Sequence, residues 1–483
     1  MERCELNRRG FLRLAVLGAA GVVAAGCQPR VVEVEKVVKE TVVQKETVVM
    51  QEATPSPKQA VTITDLVWGF TAQMVGLYEL FAQSFHEANP HITVEYLFVP
   101  DFITKLKTME AAGTPPDVVM PIGGYINLFR GPDYSTWLDL KPLIDRDNYD
   151  MSDFSEFSVG VVTNPFTKAI EGIPIQVFCN YIAYNKTLFQ KAGLPEPPHS
   201  WEDTSWTPQL FLEYAKKLTL DNKGRTPDDA GFDASNIVQW GVEGHWNDTI
   251  WGWIWGGEDL QTDPNDRRTV RIAESPFIEG WNFRQDMIYK LNVYLPPLRE
   301  QEIRGLLPIA FNSGKVGMRV GAATWNLSVL ATIKDFEWDV APGFVHPDTG
   351  RHASVLYQDQ GCITAKARHP DEAWEWIKYV SVPGMAERFS VDLRQCLPAR
   401  ISLTPKYVER LQGQFGYTQD LKVVADALPY APYKEFWAPP TEWPEIWQPV
   451  SDAIMTNEKS PAEGLTEVAP KIQANWDEYY ARF

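Results

Sequence analysis

Eighteen tryptophans stand among the 483 residues, as many as there are tyrosines. Indole faces stack well on flat or ring-shaped partners, so such ligands are the first chemistry to look for. The densest run is His245–Gly257, His-Trp-Asn-Asp-Thr-Ile-Trp-Gly-Trp-Ile-Trp-Gly-Gly. Asp248 is placed to cap a short helix that Gly256 would end, and Trp251 and Trp255 then share one face, which reads as core. Trp246 precedes the cap, on a loop, where its ring is free to meet a ligand. Bond-breaking chemistry is harder to find. His86-Glu87 and His91 have the wrong spacing for a zinc helix, and Pro90 breaks it. There is no Gly-x-Ser-x-Gly elbow, no phosphate-binding P-loop and no Gly-x-Gly-x-x-Gly. Asp221, Asp228, Asp229 and Asp233 lack the spacing of a calcium loop and read as solvated turns. The sequence thus points to no metal and no cofactor. A glycosidase carboxylate pair could still lie among the 63 acidic residues.

The elements that would position these groups begin at Val61. Val61–Trp68 is strand-like, Leu77, Leu80, Phe81, Phe85 and Ala88 follow helical spacing, and Asn89-Pro90 stops that helix. Ile92–Val99 is a second strand. Phe102, Leu106 and Met109 mark a helix ending at Gly113, and Asp117–Pro121 is a third strand. This alternation predicts a parallel sheet with right-handed crossovers, with ligands beyond the carboxyl ends of its strands. Trp68, Phe70 and the Gly123-Gly124-Tyr125 turn fall at that edge. Ile173–Tyr184 is an apolar run longer than an ordinary strand and could pass from one sheet into another. Ala373, Trp376, Ile377 and Val380 give a clean amphipathic helix.

The ordinary globular composition, 44% hydrophobic and 22% charged, excludes collagen-like, coiled-coil and wholly disordered chains. With 45 Lys and Arg against 63 Asp and Glu the net charge is −18. Such a surface repels phosphate, which argues against nucleic acid and against charge-driven binding to anionic lipid. Residues 1–27 read as an address. Arg8-Arg9 with Phe11 and Leu12 resembles a twin-arginine export signal. The apolar run Leu14–Ala25 is too short to cross a hydrocarbon core of about 30 Å. Ala24-Ala25-Gly26-Cys27 resembles a bacterial lipoprotein box, with Cys27 as the lipidated first residue. Residues 28–60 repeat Lys-Glu-Thr-Val-Val at Lys39–Val43 and Lys45–Val49 and end at Pro55-Ser56-Pro57; they read as a disordered tether, or as a β-prone sticky segment. Of Cys179, Cys362 and Cys396, the pair Cys362–Cys396 is open to a disulfide test, and three buried thiols is the competing reading.

Several segments resemble the extracellular solute-binding proteins of ABC importers, in the large sugar-binding group that includes maltose-binding protein. They are Ala111–Val119 (Ala-Ala-Gly-Thr-Pro-Pro-Asp-Val-Val), Gly172-Ile173-Pro174-Ile175, Tyr184–Leu194 (Tyr-Asn-Lys-Thr-Leu-Phe-Gln-Lys-Ala-Gly-Leu), Phe311–Met318 (Phe-Asn-Ser-Gly-Lys-Val-Gly-Met) and His369–Trp374 (His-Pro-Asp-Glu-Ala-Trp). The resemblance implies an α/β fold of two lobes, the periplasmic-binding-protein fold, with hinge strands and a central ligand cleft. Residues 61–177 would begin lobe one, 178–353 would form mainly lobe two, and 354–483 would return to both. It further implies a ligand set: Phe178 and Asn180 at the hinge entry, Trp325 as an aromatic platform, Tyr125, Trp246, Tyr357, Asp359 and Gln360 lining the cleft, with Trp68 and Trp443 beside them. Phe178 stands where maltose-binding protein has an acidic residue. The implied function is capture of a carbohydrate, an oligosaccharide, and delivery to the transmembrane subunits of an ABC permease. The protein would act without catalysis, as a monomer anchored by lipid to the outer face of the bacterial cytoplasmic membrane. Two alternatives stand beside it: a secreted glycoside hydrolase, and the same fold holding glycerol phosphate or a polyamine.

Overall fold

Val61–Trp68 (β1), buried on both faces from Asp65 to Val67, pairs in parallel with Ile92–Val99 (β2), whose first residues alternate between buried and exposed, and the helix Ala72–Ala88 joins them. The helix Phe102–Ala111, capped by Asp101 accepting from Thr104 N at 3.1 Å, leads to the two-residue strand Val118–Val119 (β3) on the other side of β1. The structure is a computed structural model. It describes residues 59–68, 72–120, 122–131, 133–244, 250–256, 268–392, 395–430 and 443–481, without the side chains at 72–74, 124, 325, 443 and 444. Cys27 with the rest of the signal segment, most of the tether, Phe70, Asp248 and Trp246 therefore lie outside the described residues.

The first sheet has six strands, and beyond β3 it departs from the parallel expectation. Ile173–Cys179 (β4), Leu356–Ile363 (β10) and Leu397–Pro398 (β11) complete it in the order β11-β4-β10-β3-β1-β2, and the β3–β10, β10–β4 and β4–β11 pairs are antiparallel. β10 and β11 come back from far along the chain, so no local strand–helix–strand crossover dictates their direction. The second sheet has five strands: Tyr181–Asn185 (β5), Leu220–Asp221 (β6), Ile237–Gly244 (β7), Val316–Ala322 (β8) and Trp338–Ala341 (β9), in the order β6-β7-β8-β5-β9. Only β7–β8 is parallel there. The long apolar run thus serves both sheets, breaking at Asn180 between β4 and β5.

The helix Pro370–Ser381 lays Trp376, Ile377 and Val380 on the core face of the first sheet, where Trp376 meets Phe85 edge-on at 5.1 Å. Helices Ser275–Tyr289, Trp443–Met455 and Pro461–Tyr480 pack with the second sheet. The last is opened by a reciprocal cap, Glu463 N to Ser460 Oγ at 3.3 Å and Ser460 N to Glu463 Oε2 at 3.0 Å. No described helix is long and apolar enough to cross a membrane. Cys179, Cys362 and Cys396 are all buried and outside any disulfide, so Cys362 and Cys396 are not bridged.

Candidate functional site

Asn180 sits where the chain leaves one sheet for the other. Its backbone N–H donates to Val355 O at 3.2 Å, and its Nδ2 donates to Gly321 O at 3.2 Å. Ser354 Oγ donates to Asn180 O at 2.7 Å. Ser354 and Val355 are themselves the residues by which the chain returns from the second sheet to β10. The two crossings are therefore bonded to one another, and the edges of both sheets converge beside them.

On the first sheet, β1 ends at Trp68. Its ring lies 5.5 Å from Phe102 and 6.5 Å from Tyr125, edge-on to the latter, and Phe102 and Tyr125 are 5.8 Å apart. Trp68 is 38% exposed and Tyr125 41%, whereas Phe102 is buried beneath them and holds the pair in place. Loss of water around the ring raises the Tyr125 hydroxyl pKa. Tyr125 belongs to the 3-10 helix Gly123–Phe129, and its first residue adopts φ +60°. A β-carbon at Gly123 would lie 3.1 Å from Asp359 Oδ1, so glycine suits both the backbone angle and the close approach.

Beside this aromatic corner lies a polar floor. Cross-strand partners share a face, and β10 pairs Tyr357 with Phe178, Asp359 with Gln176 and Gln360 with Pro174. The register shifts between Asp359 and Gln360, which turns these two consecutive side chains toward the same face. Gln176 Nε2 donates to Asp359 Oδ2 at 2.7 Å, and Gln360 Nε2 donates to Gly123 O at 2.6 Å. Phe178 and Tyr357 stack with centroids 5.7 Å apart, and Tyr357 packs against the core of the second sheet. Gln176 Oε1, Gln360 Oε1 and Asn180 Oδ1 are buried and have no hydrogen-bond partner among the described residues. Each such oxygen costs about 1–3 kcal/mol unless something supplies a donor.

The structure therefore brings together Trp68, Tyr125, Phe178, Tyr357, Asp359 and Gln360, and places Asn180 at the crossing beside them. β7 ends at Gly244, just before Trp246. Trp325 falls in the 3-10 turn Thr324–Asn326 that follows β8, and Trp443 starts the helix Trp443–Met455; their side chains are among those not described. Sequence reasoning missed Gln176. A lone glutamine inside Ile-Pro-Ile-Gln-Val-Phe-Cys was the available signal, since a buried strand has little reason to carry an amide. Trp251 is fully buried, and Trp255 packs on Phe283 at 4.8 Å, as core residues do. Among the described residues, Glu196, His199 and Asp339 offer ligand atoms within 4.8 Å of one another. Lys186 Nζ already stands 3.1 Å from Glu196 and 3.7 Å from Asp339, and Tyr184 donates to Glu196 at 2.6 Å, so a protein cation occupies that charge.

The family described as bacterial extracellular solute-binding protein matches residues 69–387. A putative binding protein of Brucella abortus is 22% identical over 451 residues, 87% of this chain and 95% of its own length. The ABC substrate-binding protein of Listeria monocytogenes solved with cycloalternan superposes with a TM-score of 0.67 at 19% identity, covering 86% of this chain and 99% of that one. A solute-binding protein of an ABC transporter from Thermotoga lettingae, bound with alpha-D-tagatose, gives a TM-score of 0.65 at 20% identity over 86% and 99%. These likenesses establish the two-lobe α/β fold.

Proposed function

The chain belongs to the family of bacterial extracellular solute-binding proteins, and on that premise we propose that it captures a carbohydrate, an oligosaccharide, in the cleft between its lobes and hands it to an ABC permease. The observation that carries this reading is the exposed Trp68–Tyr125 corner standing next to the buried floor of Gln176, Asp359 and Gln360. Aromatic faces take the C–H faces of a pyranose, while carboxylate and amide oxygens take its hydroxyls. An analogue lacking one hydroxyl would leave a buried group unpaired at about 1–3 kcal/mol, which is the source of selectivity. The lobes close over the ligand by bending at the paired crossings near Asn180 and exclude water. No bond is broken. Residues 1–27 direct export, Cys27 carries the lipid, and residues 28–60 space the body from the membrane.

A thermal-shift screen against mono- and oligosaccharides, glycerol phosphates and polyamines tests this. A ligand at 100 times its dissociation constant stabilises the fold by about 2.7 kcal/mol, readily seen as a raised Tm. A sugar that raises Tm, and whose hit Trp246→Ala or Trp325→Ala weakens, is the expected result. Reducing ends released from an oligosaccharide over hours would mean a hydrolase instead. Cys27→Ser is expected to release the protein from the membrane fraction.

A further inference from the structure

We propose that the turn carrying Gly131 and Tyr134 on lobe one and the end of the helix Pro461–Tyr480 on lobe two form a rim latch that keeps the lobes closed. This rests on the closure reading above and deepens it, whatever the ligand. Arg130 and Ser135 pair across the turn, and Gly131 N donates to Tyr134 O at 2.8 Å. Arg130 anchors it in lobe one through Glu171 at 3.0 Å and Asn127 at 2.8 Å. From the other lobe, Tyr479 Oη donates to Tyr134 Oη at 3.4 Å. A β-carbon at Gly131 would lie 2.8 Å from that Tyr479 oxygen and 2.6 Å from Tyr134 Cε1, so the bare glycine is the seat on which the two tyrosines meet. Loss of water and then the Tyr479 hydroxyl raise the pKa of the Tyr134 hydroxyl, which keeps the contact uncharged.

Helix length explains the reach. Trp443–Met455 has 13 residues and Pro461–Tyr480 has 20, and the two pack antiparallel, with Gly464 against Val450 and Ile454. The extra turns carry the second helix about 10 Å beyond the start of the first. Its end is fixed on lobe two, where Gln473 Nε2 donates to Arg268 O at 3.0 Å and the Arg268 guanidinium lies 4.7 Å over the Tyr480 ring. On lobe one, the turn follows directly on the 3-10 helix Gly123–Phe129, which carries Tyr125 and approaches Asp359 at Gly123. The latch therefore grips, from the opposite lobe, the element that shapes the aromatic corner.

Pulsed electron resonance on the full-length Cys27→Ser protein without ligand decides it. Nitroxides on Lys105→Cys, exposed in lobe one, and Lys290→Cys, exposed in lobe two, read the separation of the lobes. Tyr134→Ala is expected to raise the population at longer separations about fivefold, the effect of one lost contact of this kind. Tyr479→Phe keeps the buried ring, and with it the fold, and is expected to act in the same direction but less. A shorter separation in Tyr134→Ala would put the contact behind the hinge and overturn the latch. Separations unchanged in both variants, but broadened by Ser354→Ala, overturn the latch and leave the hinge standing. Separations unchanged in all three overturn the closure reading as well.

Discussion

The two faces of the six-stranded sheet each bury a carboxylate, and the two are treated very differently. Asp65 of β1 points into the main core with Ile63 and Val67, fully buried, and receives one N–H from Trp376 Nε1 at 3.0 Å. Loss of water pushes its pKa up to about 8, only partly offset by that bond and by the Met120 backbone, so the side chain is mainly neutral at pH 7. Asp359 of β10 faces the other way, 5% exposed, and is held by an amide that has a further oxygen to offer. Equal burial therefore means different things on the two faces. On the core face the acid is absorbed into packing; on the cleft face it belongs to a row of acceptors that packing leaves incomplete.

The sharpest way to break this contrast is to open the core. Trp376→Ala is expected to cost about 3–5 kcal/mol of stability, and more where Asp65 loses its donor, read as a fall in the denaturant midpoint. Next comes pH. The folded pKa of Asp65 lies above its ordinary value of 3.8, so its contribution is fully present below about pH 4 and is lost as pH rises through about 8. Unfolding free energy should fall between pH 5 and 8 at up to about 1.4 kcal/mol per unit from this group, and Asp65→Asn should flatten that slope. On the cleft face the same kinds of change should act on binding instead. Gln176→Leu is expected to weaken the best ligand by about 1.5–3 kcal/mol, ten- to a hundredfold, while the denaturant midpoint of the free protein falls much less than in Trp376→Ala, since the lost donor to Asp359 is offset by removal of the orphan Gln176 oxygen. Smallest is Trp68→Ala, expected to cost about 0.5–1.5 kcal/mol of affinity beyond lost contact area. Should Gln176→Leu unfold the protein as Trp376→Ala does, the two faces are alike after all.

The local pattern carried much of this. β1, β2 and the helix between them follow from period-two and 3.6-residue spacing with Asn89-Pro90 as a stop, and Pro370–Ser381 follows from Ala373, Trp376, Ile377 and Val380. The long apolar run announced a strand shared between sheets because no single strand needs so many buried residues. What stayed hidden is non-local. Nothing near Leu356–Ile363 says that it will slide antiparallel between β3 and β4, and the pairing of Asp359 with Gln176 spans 183 residues. The register shift that turns Asp359 and Gln360 to one face exists only once β10 and β4 are side by side. Trp68 and Tyr125 stand out in the sequence because strand ends are legible; Gln176 does not, because its meaning lies in its partner.

The paired crossings at Asn180 and Ser354–Val355 also fix the mechanics of the molecule. A single connecting strand would let one body swing, roll and twist about the other like a weight on a cord. Two of the connections between the sheets run side by side, tied to each other by Asn180 N–H to Val355 O and by Ser354 Oγ to Asn180 O, and a third lies in the return from β11 to the helix Trp443–Met455. Twisting would shear those bonds, while bending across both leaves them intact. Relative twist of the sheets is thus resisted at this point.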